Sequence, residues 1–88
     1  MSDLHQQFEQ AQHDVTLLGS RPGNLTLLRL YALFKQATQG DASDERPGAF
    51  DRVGRYKHEA WAALKGTPAD TAKAQYVELV ESLKAGAE

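Results

Sequence analysis

The sequence predicts an all-α fold, a four-helix bundle occupying residues 1–88 as a single domain. Three observations predict it. Apolar residues recur at steps of three and four in four stretches, each stretch is bounded by residues that start or stop helices, and no stretch alternates apolar with polar residues as a strand does. A chain of 88 residues has room for one domain and not two. At this size folding hides only about 60–65% of the unfolded surface, so the core must be compact.

Leu4, Phe8, Ala11, Val15 and Leu18 form the apolar stripe of the first helix, with Asp3 and Gln6 as its capping pair and Gly19 as a left-handed stop. After the turn Arg21-Pro22-Gly23, Asn24 is expected to cap a second helix that runs to about Gln39 and stops at Gly40. Residues 40–51 read as a long ordered loop, a length that is often functional, with Arg46-Pro47-Gly48 shaping it. Asp51 then caps a third helix to about Lys65, closed by Gly66. Thr67-Pro68-Ala69-Asp70 supplies a capping hydroxyl, a proline at the first helical position and an early acid. The fourth helix buries Ala69, Ala72, Tyr76, Val80 and Leu83 and frays near Gly86.

Composition narrows the function. Ten Lys and Arg against twelve Asp and Glu give a net charge of -2, which argues against a general nucleic-acid binder and against a polybasic membrane sensor. The absence of cysteine removes disulfides and thiolate metal cages and fits a reducing compartment. No apolar run is long enough to span a bilayer and no secretory signal opens the sequence, so a cytoplasmic monomer without stable membrane insertion is expected. The charge is unevenly placed: residues 29–65 hold seven Lys and Arg against five Asp and Glu, and the flanks hold three against seven. A mid-chain basic excess in an acidic protein points to a local anion site, or to chance clustering of solvated charge.

Two lysines break the helical pattern. Lys57 falls among Val53, Ala60, Trp61 and Leu64 on the apolar stripe of the third helix, and Lys35 lies one turn after Tyr31 and beside Leu28 on the second. Either lysine alone reads as a stem laid over apolar surface with its ammonium in water. Two of them on adjacent helices, each near an aromatic, can instead converge on an anion at the mouth of an apolar groove, with Tyr31 adding a hydroxyl and a ring face. A ligand with a phosphate, a planar ring and an apolar tail suits that chemistry.

The run Tyr31-Ala32-Leu33-Phe34-Lys35-Gln36-Ala37-Thr38-Gln39-Gly40-Asp41, then Arg46-Pro47-Gly48, Asp51, Gly54, Lys57, Ala60-Trp61 and Leu64-Lys65-Gly66, resembles the signature of the acyl-CoA-binding protein family. The match continues through Ala72, Tyr76, Val80 and Leu83 and covers essentially the whole chain. The resemblance implies a non-catalytic carrier that binds, buffers and transports medium- to long-chain fatty acyl-CoA inside the cell and meets acyl-CoA-using enzymes transiently. It needs no cofactor. By the family's pattern Tyr31, Lys35 and Lys57 hold the 3'-phosphate of the CoA ribose. Residues 31–35, which include Ala32, Leu33 and Phe34, border the adenine, Tyr76 touches the head group, the acyl tail lies in an apolar groove among the helices, and Thr16, Leu28 and Val53 are weaker ligand-lining positions.

The chain departs from that pattern at four places. Phe34 stands where many members have tyrosine, His58 where tryptophan is common, and Thr16 and Val53 where lysine is frequent. These changes bear on affinity more than on ligand class. Trp61 reads as a core anchor, and Tyr76 is open between core and ligand contact. No enzyme motif appears: there is no Gly-x-Ser-x-Gly elbow, no glycine-rich loop before Lys-Ser or Lys-Thr, and no His-Glu-x-x-His. His5, Glu9 and His13 share one exposed helix face, an arrangement that seldom holds a metal. The rival reading is a helical protein-interaction module whose groove takes an amphipathic partner helix.

Overall fold

The computed structural model describes residues 3–43, 48 and 50–86; Arg46 and Pro47, expected to shape the long loop, lie outside the described residues. Four helices form: α1 (Leu4–Val15), α2 (Asn24–Gln39), α3 (Arg52–Ala62) and α4 (Ala69–Lys84). α2 packs on both α4 and α3, and α1 packs on α4. The Cα positions fill an envelope of 42 × 28 × 16 Å, a slab about one helix pair thick.

Side-chain pairs fix the helix directions. Phe8 near the start of α1 meets Tyr76 edge-on at 5.1 Å, while Asp14 near its end meets Lys84 Nζ at 3.1 Å, so α1 and α4 run parallel. Lys57 lies over Tyr31 and Lys35 lies over Trp61 one turn further on, so α2 and α3 are parallel as well. Gln36 near the end of α2 bonds the Thr67 carbonyl just before α4, which makes that central pair antiparallel. The topology is up-down-down-up. Parallel neighbours need a return crossover, and this is the physical reason for the long connection at residues 40–51.

The helix starts and stops follow hydrogen bonding more closely than propensity. Asp3 caps α1 as expected, accepting from Gln6 N at 2.7 Å, and Asp51 caps α3, accepting from Gly54 N at 2.9 Å. A Cβ at Gly54 would run into that same Asp51 carboxylate, so the cap requires glycine there. Other ends differ from expectation. α1 stops at Val15, because Thr16 N and Oγ1 both donate to the His13 carbonyl, at 3.1 and 2.6 Å, and close the helix early. Gly19 therefore takes no left-handed cap. Gly23, not Asn24, stands at the cap of α2, and Pro68, not Thr67, at that of α4, because Gln36 takes the Thr67 carbonyl. α3 ends at Ala62 and continues as tight turns to Gly66, which with Gly40 takes a positive φ, +87° and +78°.

The core gathers Phe8, Ala11, Leu30, Leu33, Ala37, Ala72, Tyr76 and Val80 between α1, α2 and α4. Full burial of a side chain such as Leu33 contributes about 1.5–3 kcal/mol. α3 adds no fully buried residue. Polar bonds tie α2 to the segments that flank α3: Gln36, 1% exposed, donates through Nε2 to Asp41 Oδ1 at 2.8 Å and to the Thr67 carbonyl at 2.9 Å. Asp41 Oδ1 also accepts from Gly66 N at 2.9 Å, and Trp61 Nε1 donates to the Gly40 carbonyl at 2.8 Å. Both amide protons of Gln36 are aimed at oxygens, so its Oε1 is left buried without a partner among the described residues. Hydrogen bonds from Gly66 and Gln36, in that order, hold the Asp41 carboxyl below its ordinary pKa of 3.8.

Two outcomes follow for stability. Gln36→Ala removes a buried side chain and strands the Thr67 carbonyl, and should cost about 2–4 kcal/mol in urea unfolding, whereas the exposed Gln39→Ala should stay within about 0.5 kcal/mol. The depressed pKa of Asp41 adds stability that is whole above the ordinary value of 3.8 and drains as pH falls through the lower native one. Asp41→Asn should therefore flatten the fall of the melting temperature between about pH 5 and pH 2.5. It should not abolish it, because hydrogen bonds from Gln10 and Lys84 lower the pKa of Asp14 in the same direction. Thermal melts across that range read both effects.

Candidate functional site

On a helix each residue turns about 100° from the last, so Tyr31 and Lys35, four apart, share one face of α2 while Leu33 between them points the other way. The structure follows that geometry. Tyr31 and Lys35 are half-buried beside α3, and Lys57 reaches them from α3 with its side chain in solvent. Lys57 Nζ stands 5.2 Å from the Tyr31 ring centroid, and Lys35 Nζ stands 5.9 Å from the same centroid and 5.1 Å from that of Trp61. Two ammonium groups thus flank one phenol, each within the range of attraction to an aromatic face. Among the described residues no carboxylate lies within salt-bridge distance of either lysine. Two cations that no described carboxylate neutralises, gathered on one aromatic ring, have the chemistry to attract an anion.

Trp61 is the member of this cluster that sequence reasoning assigned elsewhere. It is half-buried on the seam between α2 and α3, outside the core, with its indole N–H on Gly40 and its ring beneath Lys35. Its spacing of four from Lys57 is the signal that could have placed it there.

The remaining candidates are distributed around the fold. Leu33 and Ala32 are 1% and 3% exposed, so five consecutive residues of α2 do not present one face to a ligand. Phe34 is turned to α1, where its ring stacks on Phe8 at 6.1 Å. The Tyr76 ring is 5% exposed in the core, and burial raises the pKa of its phenol. Thr16, Leu28 and Val53 are not brought together. Leu28 lines an apolar cleft of about 370 Å³ with Leu25, Ala32, Ala60 and Leu64, while Thr16 lines another of about 470 Å³ between the end of α1 and the start of α2. Val53 is 63% exposed at the start of α3, because it lies at the end of that helix that does not reach the core. Arg52 and Arg55 are likewise exposed.

His58 turns its Nε2–H to the Ser43 carbonyl at 2.9 Å and ties the loop to α3, a structural use of the position. His5 pairs with Glu9 at 3.0 Å, and among the described residues no group of three or more His, Asp or Glu side chains is placed to hold a metal. Among the described residues no helix is long and apolar enough to cross a membrane.

Comparison with known proteins agrees with this architecture. The family model described as acyl CoA binding protein matches residues 5–80. The acyl-CoA-binding protein of Saccharomyces cerevisiae is 46% identical over 80 residues, covering 91% of this chain and 92% of the yeast protein. Enoyl-CoA delta isomerase 2 of Rattus norvegicus is 48% identical over 88 residues, but there this chain spans only 22% of the rat protein's length. The crystal structure of acyl-CoA-binding protein 2 from Oryza sativa superimposes with a TM-score of 0.90 at 36% identity, covering 96% of this chain and 93% of that one. With its four helices in the same arrangement and the family's pattern running through nearly its whole length, the chain belongs to the acyl CoA binding protein family.

Proposed function

We propose that this chain is a cytoplasmic, monomeric carrier that binds fatty acyl-CoA without transforming it, releasing it to acyl-CoA-using enzymes met transiently. The observation that carries this reading is the pair of ammonium groups on Lys35 and Lys57 flanking Tyr31 with no carboxylate of the described residues to neutralise them. They suit the 3'-phosphate of the CoA ribose, with the Tyr31 hydroxyl as a further donor and its ring, beside that of Trp61, as a surface for the adenine. The acyl tail is assigned to the neighbouring apolar cleft at Leu25, Leu28 and Ala32. Leu33, Phe34 and Tyr76 support the site from the core side. The isomerase activity named for the rat relative belongs to a protein of which this chain matches less than a quarter, and it forms no part of this proposal.

The two halves of the ligand act differently. Each methylene removed from water adds up to about 0.8 kcal/mol, and each charge-assisted phosphate bond about 1.5–3 kcal/mol. Calorimetric titration should show affinity rising from CoA through twelve-carbon to sixteen-carbon acyl-CoA, then levelling off once the cleft is full, with free fatty acid far weaker. Equal affinity for CoA and its sixteen-carbon thioester would overturn the assignment of the tail.

Lys35→Ala and Lys57→Ala should each weaken sixteen-carbon acyl-CoA binding by about 1–3 kcal/mol while costing the free protein no more than about 1 kcal/mol, the scale of an exposed cation–π contact. A thioester lacking the 3'-phosphate should bind the parent weakly and barely register either substitution. Normal binding by destabilised variants would make the two lysines packing stems.

A further inference from the structure

The apolar cleft assigned to the acyl tail has a charge in its wall. Leu25, Arg29 and Ala32 follow one another at steps of four and three, so they share a face of α2, and that face lines the cleft of about 370 Å³ together with Ala60 and Leu64 of α3. Arg29 therefore stands between two apolar neighbours, with Gln75 contributed to the same lining from α4. Arg29 is exposed and Gln75 half-buried. Among the described residues the Arg29 guanidinium has no carboxylate within salt-bridge distance, and the Gln75 amide has no hydrogen-bond partner. Arg29 belongs to the basic excess of residues 29–65, yet the lysine cluster does not use it. Six residues separate it from Lys35, which is about 9 Å of helix rise and about 120° around the helix, so the two do not grip one group.

We infer that this cleft takes fatty acyl chains whose far end carries a carboxylate, the mono-CoA thioesters of long-chain dicarboxylic acids, with Arg29 as the counter-charge. The inference rests on the carrier reading above and names a substrate class for the same site. A wholly apolar cleft excludes such a chain, because a carboxylate drawn out of water without a partner is costly. A guanidinium set in the wall removes that barrier: its fork of N–H donors matches the two oxygens of a carboxylate, and the Gln75 amide supplies a further donor. A methyl-ended chain gains only contact with the arginine stem. Charge also gives the choice a sign, since an ammonium-ended chain would meet Arg29 as a like charge. The cleft is open to water, where an ion pair is weaker than in a sealed interior, so Arg29 sets preference among tails and not the overall strength of binding.

Calorimetric titration of matched pairs tests this. Each pair has one chain length, ten, twelve or sixteen carbons, and consists of an acyl-CoA ending in methyl and its counterpart ending in carboxylate. The quantity read is the ratio of affinities, carboxylate-ended over methyl-ended, in the parent and in Arg29→Met and Arg29→Gln, which keep much of the stem and remove the charge. At the length that brings the carboxylate to Arg29, both variants should lower the ratio at least about fivefold, and the free variants should melt with the parent. A ratio that either variant leaves within about fivefold of the parent's at every length overturns the inference, because the carboxylate then ends in water and not on Arg29. The methyl-ended chains test the carrier reading separately. Where they bind the parent and the ratio does not move, the carboxylate assignment alone falls; where they fail to bind, the carrier reading falls with it.

Discussion

One buried amide ties the end of α2 to the segments on either side of α3. Gln36 is the buried polar side chain of the core, and its two N–H bonds go to different segments, Asp41 in the loop and Thr67 ahead of α4. α3 has no fully buried residue, so apolar burial alone holds it weakly. The bonds to Asp41 and to the Thr67 carbonyl work against the cost of leaving Oε1 buried and unpaired, about 1–3 kcal/mol. The balance closes because one side chain also orders its neighbours. Asp41, once held, accepts from Gly66, and Gly40 beside it accepts from Trp61. The position of Lys57 relative to Tyr31 is thus inherited from contacts one and two turns further along the two helices.

This arrangement separates stability from recognition. The core lies between α1, α2 and α4, and the lysine–aromatic cluster proposed to hold the phosphate lies on the seam between α2 and α3. The lysines rest on aromatic faces that attract them only modestly, and the described carboxylates leave them unpaired, so in the proposed complex a phosphate would meet cations already in place with little to displace. Pre-positioned charge of this kind confers identity more than strength. A tail of a dozen methylenes outweighs two phosphate contacts in gross energy, at about 0.8 kcal/mol each, before the costs of association are subtracted.

Much of the fold was legible in the sequence because it rests on local signals. The apolar periodicity placed all four helices, Asp3 and Asp51 capped where expected, and the face shared by Tyr31 and Lys35 follows from helix geometry alone. What escaped depended on long-range partners. Thr16 ended α1 early, and Thr67 gave its carbonyl to a side chain 31 residues away, displacing the cap to Pro68. The parallel directions could not be read from turn signals, since a loop of a given length serves several topologies. Ala32 and Leu33 were legible in principle: consecutive helical residues cannot all face a ligand, and the wheel that singled out Lys57 would have turned Leu33 inward. Gln36 was legible too, three residues after Leu33 on the buried side, had a polar residue there been asked for its partners.

The parallel packing of α1 on α4 also bears on how the chain reaches this state. Helical proteins of this size usually fold fast because their contacts are local. Here Phe8 packs on Tyr76 and Asp14 pairs with Lys84 across nearly the whole sequence, and the parallel pair α2 and α3 meets only once the chain has returned through residues 40–51. Loop-closure entropy must be met before those contacts return any energy, so the topology withholds much of the kinetic advantage that a consecutive up-down bundle of the same length enjoys. On the ribosome, Phe8 can meet Phe34 once α2 has emerged, but its contact with Tyr76 waits for α4, which makes α4 the element whose synthesis completes the core.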